Sequence, residues 1–448
     1  IFASLNVQEN LLLPPRVKPG GLDLEDVITL IGRQPGWHNR LDRREAIRWD
    51  DTEFHGRRAY MPDGFVDNPS SAGYQPATTS WEWWMNYETI LFELTNNAAR
   101  LTLNRPDRLN SFNVQMHAEI AETMRAGRLV ELGRVEFEEA PIDPAQPGEL
   151  LVHSRFASIC GSDLHGVQYG VELPPPPWPP GYPGHEGIGH VVESRAEGFE
   201  AGDLVLAVPN AAIGRCMAEY QRLQAVTAVK IDASVDLPLQ NLLMAQQLGT
   251  VIFALRRYPT DVAGKTVVVL GQGSAGLFFT HLLKKAGAAR IIVADLSDAR
   301  LAVSPHFGAD VMINASTDDV RAAVLDLTGG KGADYLVEAV GSRQTLALSI
   351  ELVAPDTKML WFGLPDTADS VPISFQKFFR KRLTAQTVYG AQFEPGLVSF
   401  RVALDQIVRG DIDVSPLLSH VLPVEQVARA FELAHSRDEN AIKVSVSF

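Results

Sequence analysis

The chain is poor in cysteine, in long apolar runs and in positive charge, and each shortage excludes a class of protein. Only 2 of its 448 residues are cysteines, which excludes a disulfide scaffold and any four-cysteine zinc module and favours a reducing compartment, the cytoplasm. No apolar run reaches the roughly 18 residues of a membrane span. The formal net charge of −14 disfavours binding to nucleic acid or to an anionic membrane, because little positive charge is available to neutralise phosphates.

The hydrophobic content and the length predict several packed units. Hydrophobic residues make up 46% of the chain, and about 150 residues per domain suggests about three units. The first 84 residues differ from the rest, because they hold five of the seven tryptophans among turn-rich segments without a sustained hydrophobic period. We therefore predict that residues 1–123 are an irregular appendage without a catalytic role.

Residues 85–123 have a pattern of their own within this appendage. ETILFELTNNAARLTLNRP alternates as two strands around an Asn-Asn turn, and NSFNVQMHAEIAETM (110–124) predicts a capped amphipathic helix. With its LNRPDRLNSFN loop, this stretch resembles the opening of the enoyl-CoA hydratase/isomerase (crotonase) family. The glycine-rich loops that build that family's oxyanion hole and CoA pocket do not follow, so we interpret the segment as a remnant, a fusion or a gene-boundary artefact.

From about residue 124 the sequence predicts an α/β protein with a second, β-rich domain. Short β segments alternate in polarity up to about residue 247, and strands then alternate with helices, as in a doubly wound parallel sheet. One more helix and a closing helix–strand pair follow residue 388. The predicted domains are 124–247 with 388–448 for the β-rich part, and 248–387 for the parallel sheet.

A glycine-rich turn in the second domain predicts a dinucleotide site. The strand Thr266–Leu270 runs into the turn, a helix begins at once, and a second strand ends in an acidic residue 24 positions after the first glycine. Glycines permit the tight turn, the approach of a diphosphate and close helix packing, while the acid bonds the ribose hydroxyls and repels a 2′-phosphate, so NAD is preferred to NADP. The alternative is an ordinary βαβ turn whose acid caps the next helix. The predicted cofactor residues here are Gly271, Gly273, Ser274, Ala275, Gly276, Asp295 and Arg300, the last flanking the adenosine ribose.

Zinc-ligand residue types cluster ahead of this turn. Cys160-Gly-Ser-Asp-Leu-His165 is followed by Gly184-His185-Glu186, and a catalytic zinc needs three protein ligands plus an open position. Each of these residues alone is more often an ordinary packed or surface side chain. Their combination with a dinucleotide motif is far more specific.

On these motifs, residues 124–448 resemble the zinc-dependent medium-chain alcohol dehydrogenase family. The resemblance implies a GroES-like catalytic domain, a Rossmann domain and a homo-oligomer, either a dimer or a tetramer. It implies that Cys160 and His185 bind the catalytic zinc with Glu186 as a ligand or its partner. It further implies that Ser162 passes the alcohol proton through the cofactor ribose to His165. Thr250 and Gly363 match family positions beside the nicotinamide.

The chain departs from the family in two places. The stretch between Val205 and Tyr220 has one cysteine, Cys216, so we expect one catalytic zinc and no structural zinc. The family's last zinc position is occupied by Gln246, and glutamine is a weak, neutral ligand.

The sequence thus predicts hydride transfer between a small-molecule alcohol, or its carbonyl product, and NAD. Tyr169 and Trp178 lie between the two ligand motifs, where they line a substrate pocket or, equally, where Trp178 only anchors its proline-rich loop. Two alternatives stay open. One is a zinc-free reductase of an activated double bond, which Gln246 allows, and the other is a non-catalytic binder of a CoA ester or a partner.

Overall fold

The computed structural model describes residues 123–171, 173–367 and 369–448 in full, and the backbone of residues 83–86, 90–95 and 98–103. The chain divides into two compact units, Ile1–Glu122 and Thr123–Phe448. Among the described residues, no helix has the length and the apolar character needed to cross a membrane.

The first unit contains a three-stranded antiparallel sheet. Its strands are β1 (Trp83–Asn86), β2 (Ile90–Thr95) and β3 (Ala98–Leu103). Strands β2 and β3 pair on either side of the two asparagines, so the prediction of a hairpin around an Asn-Asn turn is confirmed. Most of the helix predicted at 110–124 lies outside the described residues.

A β-rich lobe opens the second unit and is completed by the end of the chain. Seven of its strands form one sheet in the order β10-β8-β7-β6-β18-β17, with β9 on β6, while β4 and β5 form a separate hairpin. The structure gives these strands as β4 (Thr123–Glu131), β5 (Arg134–Pro141), β6 (Glu149–Ser158), β7 (Gly187–Ser194), β8 (Leu204–Ala207), β9 (Tyr220–Gln224), β10 (Ala228–Lys230), β17 (Leu418–Pro423) and β18 (Lys443–Ser447).

Two details of this lobe differ from the sequence reading. The helix predicted to end at Met124 is wrong at its end, because Thr123 and Met124 open β4 and pair with Pro141 and Ala140 of β5. Cross-strand pairing overrides the helical pattern there. Strand β9 was not predicted, because its sequence YQRLQ is mostly polar and shows no apolar alternation.

The second lobe is the predicted doubly wound sheet. Six parallel strands run in the order β13-β12-β11-β14-β15-β16, with the sequence order reversing at β11. Val267 and Val269 of β11 enter one hydrophobic core and Val268 and Leu270 enter another, as expected for a strand covered by helices on both faces. The strands are β11 (Thr266–Leu270), β12 (Arg290–Asp295), β13 (Val311–Asn314), β14 (Ala333–Glu338), β15 (Val353–Trp361) and β16 (Thr384–Thr387).

Ten helices of the described residues cover and connect the two sheets. They are α1 (Gly161–Tyr169), α2 (Leu239–Leu243), α3 (Ala245–Arg257), α4 (Ser274–Lys285), α5 (Asp298–Val303), α6 (Val320–Leu327), α7 (Arg343–Leu352), α8 (Phe375–Arg380), α9 (Val398–Val408) and α10 (Val427–Ser436). The predicted α/β fold with a Rossmann-type sheet and a separate β-rich lobe is confirmed.

Helix α3 joins the two lobes. Its buried residues Leu248 and Val251 belong to a core that also contains Ile188 of β7 and Val267 of β11. Helix α9 crosses it closely at Gly249, where a Cβ atom would stand 2.4 Å from the ring of Phe400. The predicted boundary between residues 247 and 248 falls inside this helix, and the division of the second unit into two domains stays a prediction.

Candidate active site

Asp163 holds the two ligand motifs together. Helix α1 begins directly after Cys160, and the Asp163 carboxylate lies in its first turn and is 3% exposed. Its Oδ2 accepts a hydrogen bond from the Cys160 backbone N at 2.9 Å, and its Oδ1 lies 2.8 Å from His185 Nδ1. The first contact positions the thiol, and the second orients the imidazole so that Nε2 points away from Asp163. Sequence reasoning did not single out Asp163.

The structure brings three metal-ligand side chains together. Ligand atoms of Cys160, His185 and Glu186 all lie within 4.8 Å of one another. Glu186 is completely buried, yet its Oε1 has no hydrogen-bond partner. A buried polar atom without a partner indicates a missing ligand, ion or water, and a thiolate, an imidazole and a carboxylate form a donor set that suits zinc. The residues therefore fit a zinc ion.

The other oxygen of Glu186 is neutralised by the protein. The hydroxyl of Ser158 donates to Oε2, and Nζ of Lys443 lies 2.6 Å from the same atom. Burial alone would lower the pKa of Lys443, which is 2% exposed, but the Glu186 carboxylate raises it above its ordinary value. Lys443 lies on the last strand, more than 250 residues after both ligand motifs in the sequence, and sequence reasoning missed it.

Burial and a neighbouring charge also act in opposite directions on the pKa of His185. Burial lowers its pKa, but the Asp163 carboxylate outweighs burial and holds the pKa well above the ordinary value. A metal ligand must be the neutral imidazole, so a metal and a proton compete for this ring.

Gln246 of α3 occupies the family's last zinc position, but its neighbour Gln247 is the residue that contacts the Cys160 thiol. Gln246 is buried, its Nε2 donates to the His185 carbonyl oxygen at 3.2 Å, and its Oε1 has no partner. Gln247 directs its Oε1 towards Cys160, whose Sγ lies 3.5 Å away. The neighbour of Gln246 thus contacts the thiol, and nothing in the sequence pattern distinguished the two residues.

Ser162 and His165 share one face of α1, three residues apart. The Ser162 hydroxyl lies 3.5 Å from His185 Nε2, at the ligand cluster. His165 lies against Tyr169 and reaches the backbone that follows β15 in the second lobe, and its Nδ1 is buried without a partner. Burial lowers the pKa of His165, which favours the neutral ring. No hydrogen bond joins these two side chains directly within the described ranges.

The glycine turn has the geometry that its sequence predicts. Gly271 has a φ of 88°, in the left-handed region, where glycine is unstrained. A Cβ at Gly276 would stand 1.9 Å from the Gly271 carbonyl oxygen, so α4 packs on the turn only with glycine there. A Cβ at Gly273 would meet nothing nearer than Arg300 Nη1, at 3.8 Å, so the space above this glycine is open to a ligand.

The remaining predicted cofactor residues surround this turn. Asp295 ends β12 and accepts hydrogen bonds from the backbone N of Gln272 at 2.6 Å and of Ser297 at 2.9 Å. Ser297, not Asp295, caps helix α5. The other predicted residues have local contacts: Ser274 opens α4 and donates to Gln247, Ala275 packs on the core, Thr250 is bonded to Gln247, and Gly363 lies against Gly341.

A small cavity adjoins the ligand cluster. It is lined by Ser162 and Asp163 and by apolar side chains that include Leu173, Tyr182 and Leu364, and its volume is about 20 Å³. Trp178 does not line it; the indole Nε1 donates to the Pro174 carbonyl oxygen at 2.9 Å, which supports the reading that Trp178 anchors its loop.

Cys216 lies apart from this chemistry. It is completely buried, and its thiol contacts Gln221 Oε1 at 3.2 Å. Burial raises the pKa of the Cys216 thiol well above the ordinary value. Cys160, His185 and Glu186 are the one metal-ligand group found among the described residues.

Comparison with known proteins gives matches to both lobes. Residues 146–233 match the family model of the alcohol dehydrogenase GroES-like domain, and residues 275–404 match that of the zinc-binding dehydrogenases. Both matches support the zinc-type medium-chain alcohol dehydrogenase family for these lobes. No match supports the crotonase-like segment predicted at 85–123.

Individual relatives of this family agree with the assignment. L-threonine 3-dehydrogenase of Pyrococcus furiosus is 28% identical over 66% of this chain and 91% of the relative. An alcohol dehydrogenase of Cupriavidus necator is 26% identical over 72% of this chain and 98% of the relative. The crystal structure of an alcohol dehydrogenase from Thermotoga maritima has a TM-score of 0.60 at 26% identity, covering 73% of this chain and all of that one.

The dehydrogenase acts on CH–OH groups, with a small-molecule alcohol as the substrate class and with NAD(P) and zinc as cofactors.

Proposed function

We propose that this dehydrogenase oxidises its alcohol, or reduces the carbonyl product, with NAD and with a single catalytic zinc held by Cys160, His185 and Glu186. The observation that carries the ligand assignment is the meeting of these three donors within 4.8 Å, with one Glu186 oxygen buried and unpaired. When bound, zinc lowers the pKa of an alcohol oxygen and NAD accepts the hydride.

Side chains of the chain itself supply the remaining chemistry. The Ser162 hydroxyl faces the ligand cluster and is positioned to accept the alcohol proton. His165 lies one turn later on α1, burial favours its neutral ring, and it is the residue that would hold the proton at the end of the relay. A bound cofactor would supply the ribose hydroxyl between the two side chains.

Asp295 supports NAD as the preferred cofactor. Asp295 is the last residue of β12, and its carboxylate accepts hydrogen bonds from two backbone amides. In this position its oxygens can also accept hydrogen bonds from ribose hydroxyls. The same negative charge repels the 2′-phosphate of NADP. Arg300 flanks this region, and its guanidinium is the group that would weaken the preference.

The first experiment measures zinc per chain in the purified protein and in Cys160→Ala. We expect about one zinc in the parent and none in the variant, because three protein ligands define a catalytic site. Cys216→Ala is the matched control, and it should keep its zinc because the thiol packs against Gln221.

Loss of zinc in Cys160→Ala would justify a screen of alcohols with NAD and with NADP. A folded parent without zinc would contradict the ligand assignment. It would leave the alternative that Gln246 keeps open, a zinc-free reductase of an activated double bond, and the screen would then use such substrates.

The proposal also includes three expectations about the protein as a whole: its compartment, its oligomeric state and the role of residues 1–123. The two described cysteines are free thiols, which favours the cytoplasm. We also propose a homo-oligomer, a dimer or tetramer, because the family resemblance implies one, and sedimentation of the purified chain tests this. Removing residues 1–123 should leave turnover intact if that segment is a non-catalytic appendage.

A further inference from the structure

Gln247 is a further polar side chain that reaches the ligand cluster. It is 6% exposed, and its Oε1 lies 3.5 Å from the Cys160 sulfur. The preceding residue, Gln246, directs its amide Nε2 to the His185 carbonyl oxygen. The side chain of Gln247 therefore contacts a ligand atom, whereas that of Gln246 is bonded to the backbone.

Thr250 determines which end of the Gln247 amide faces the thiol. The Thr250 hydroxyl donates its one proton to the Gln247 backbone carbonyl oxygen at 2.7 Å. It can therefore only accept a hydrogen bond from the Gln247 side chain, whose Nε2 lies 3.1 Å away. Because the NH2 group of the amide is on the Thr250 side, the amide oxygen is the atom that faces Cys160.

The distance between this oxygen and the sulfur is that expected for two ligands of one zinc ion. Zinc lies about 2.3 Å from a cysteine sulfur and about 2.1 Å from a ligating oxygen, and tetrahedral geometry then separates the two ligand atoms by about 3.6 Å. The observed distance is 3.5 Å. A hydrogen bond from the thiol explains this contact only in the metal-free chain, because a metal-bound cysteine is a thiolate and has no proton to donate. With a thiolate, two electron-rich atoms this close are stabilised by a cation that both of them contact.

We propose that Gln247 Oε1 is the fourth ligand of the catalytic zinc in the alcohol-free enzyme, and that the alcohol oxygen replaces it. The bond between zinc and the amide oxygen breaks, a bond between zinc and the alcohol oxygen forms, and no electron is transferred in this exchange. The amide leaves because it is neutral and a weaker ligand than a thiolate, an imidazole or a carboxylate. The displaced oxygen keeps a donor, since the Ser274 hydroxyl lies 3.3 Å from it. This assignment rests on the proposed function, because it requires zinc at the ligand cluster.

The test follows the visible absorption of the full-length chain loaded with Co²⁺ in place of zinc. Water bound to a catalytic metal ionises with a pKa of about 7, and this ionisation shifts the d–d bands of the metal. We expect the parent spectrum to stay constant across neutral pH, because an amide and not a water occupies the fourth position. Gln247→Leu should admit a water and acquire a spectral change near neutral pH, while the sulfur-to-cobalt charge-transfer band shows that Cys160 still binds the metal.

Imidazole, a small molecule that binds cobalt directly, measures how firmly the fourth position is occupied. It must displace a tethered amide in the parent but only a water in Gln247→Leu, so its Kd should be about tenfold lower in the variant. Gln246→Leu is the matched control, because it makes the same change one residue earlier on α3. Its spectrum and its Kd for imidazole should equal those of the parent. A purely structural role of Gln247 would lower the melting temperature of Gln247→Leu without introducing a metal-bound water.

Four results would overturn the assignment, and the first of them requires no variant. A parent spectrum that itself shows the ionisation would place a water at the fourth position. A pH-independent spectrum of Gln247→Leu would exclude Gln247 as a ligand, and a new ionisation in Gln246→Leu alone would assign the position to Gln246. These three results leave the proposed zinc site intact. A folded parent that binds neither zinc nor cobalt would refute the proposed function, and with it this inference.

Discussion

Replacing Asp163 by asparagine tests how the ligand cluster is organised. The carboxylate uses both oxygens as acceptors, one for the Cys160 backbone N–H and one for His185 Nδ1. Asparagine has the same shape but offers one oxygen and one NH2 group. It can therefore satisfy only one of the two donors, and its NH2 group must face the other.

The size of the effect follows from these two contacts. A buried N–H group left without an acceptor costs about 1–3 kcal/mol. Loss of the carboxylate behind a ligating histidine lowers metal affinity by about 10- to 100-fold, which corresponds to roughly 1.4–2.7 kcal/mol. Both estimates agree, so we expect Asp163→Asn to bind zinc about 10- to 100-fold more weakly than the parent.

The assay is competition for zinc against a chromophoric chelator, followed in the metal-free parent and variant. Asp318→Asn is the control, because Asp318 is an exposed aspartate of the cofactor lobe. Thermal melting of both metal-free proteins shows whether the variant is folded. An Asp163→Asn protein that melts at a lower temperature but binds zinc within twofold of the parent would refute the reasoning, since Asp163 would then stabilise the fold without orienting the ligands.

Three further predictions concern other parts of the molecule. Ser162→Ala should slow alcohol oxidation by about 100-fold with unchanged zinc content and cofactor Kd, since only a proton-transfer group is lost; unchanged kcat would exclude that role. Gly273→Ala should fold normally and lose NADH affinity, because the Cβ fills open space that the cofactor needs, whereas Gly276→Ala should melt at a lower temperature, because its Cβ would stand 1.9 Å from the Gly271 carbonyl oxygen; equal effects on both readouts would contradict this division. Burial and a nearby lysine lower the pKa of His281 to about 4, so its contribution to stability is complete above the unfolded pKa and falls as pH decreases towards 4. Urea unfolding should therefore show that the parent loses about 1 kcal/mol more than His281→Gln between pH 7 and pH 5, after allowance for solvent screening, and identical losses would show that His281 is not responsible.

The parts of the molecule that sequence could predict depend on short-range patterns. In the second lobe, β11, the glycine turn, α4 and β12 follow one another within about 30 residues, and each of these elements has a local physical cause. The two ligand motifs are equally local. The hairpin around two asparagines is another local pattern, and the structure confirms it.

The parts that could not be predicted depend on contacts between distant segments. Lys443 looks like an ordinary residue of a terminal strand until the fold places it on Glu186. Nothing in its motif distinguishes Asp163, and its role is visible only when the fold brings His185, just before β7, within 2.8 Å of it. The end of the helix predicted at 110–124 failed for the same reason, because pairing with β5 decides the conformation of Thr123 and Met124.

Gln247 shows how this long-range order brings the two halves of the site together. Its Oε1 lies 3.5 Å from the Cys160 sulfur and also accepts a hydrogen bond from Ser274 at 3.3 Å. Cys160 belongs to the ligand cluster, whereas Ser274 is the first residue of α4, beside the glycine turn. One amide group therefore links the thiol of the β-rich lobe to the glycine turn of the parallel-sheet lobe, the predicted phosphate site. Because α3 is packed into the core shared by both lobes, this link holds the ligand cluster and the glycine turn in a defined relative position.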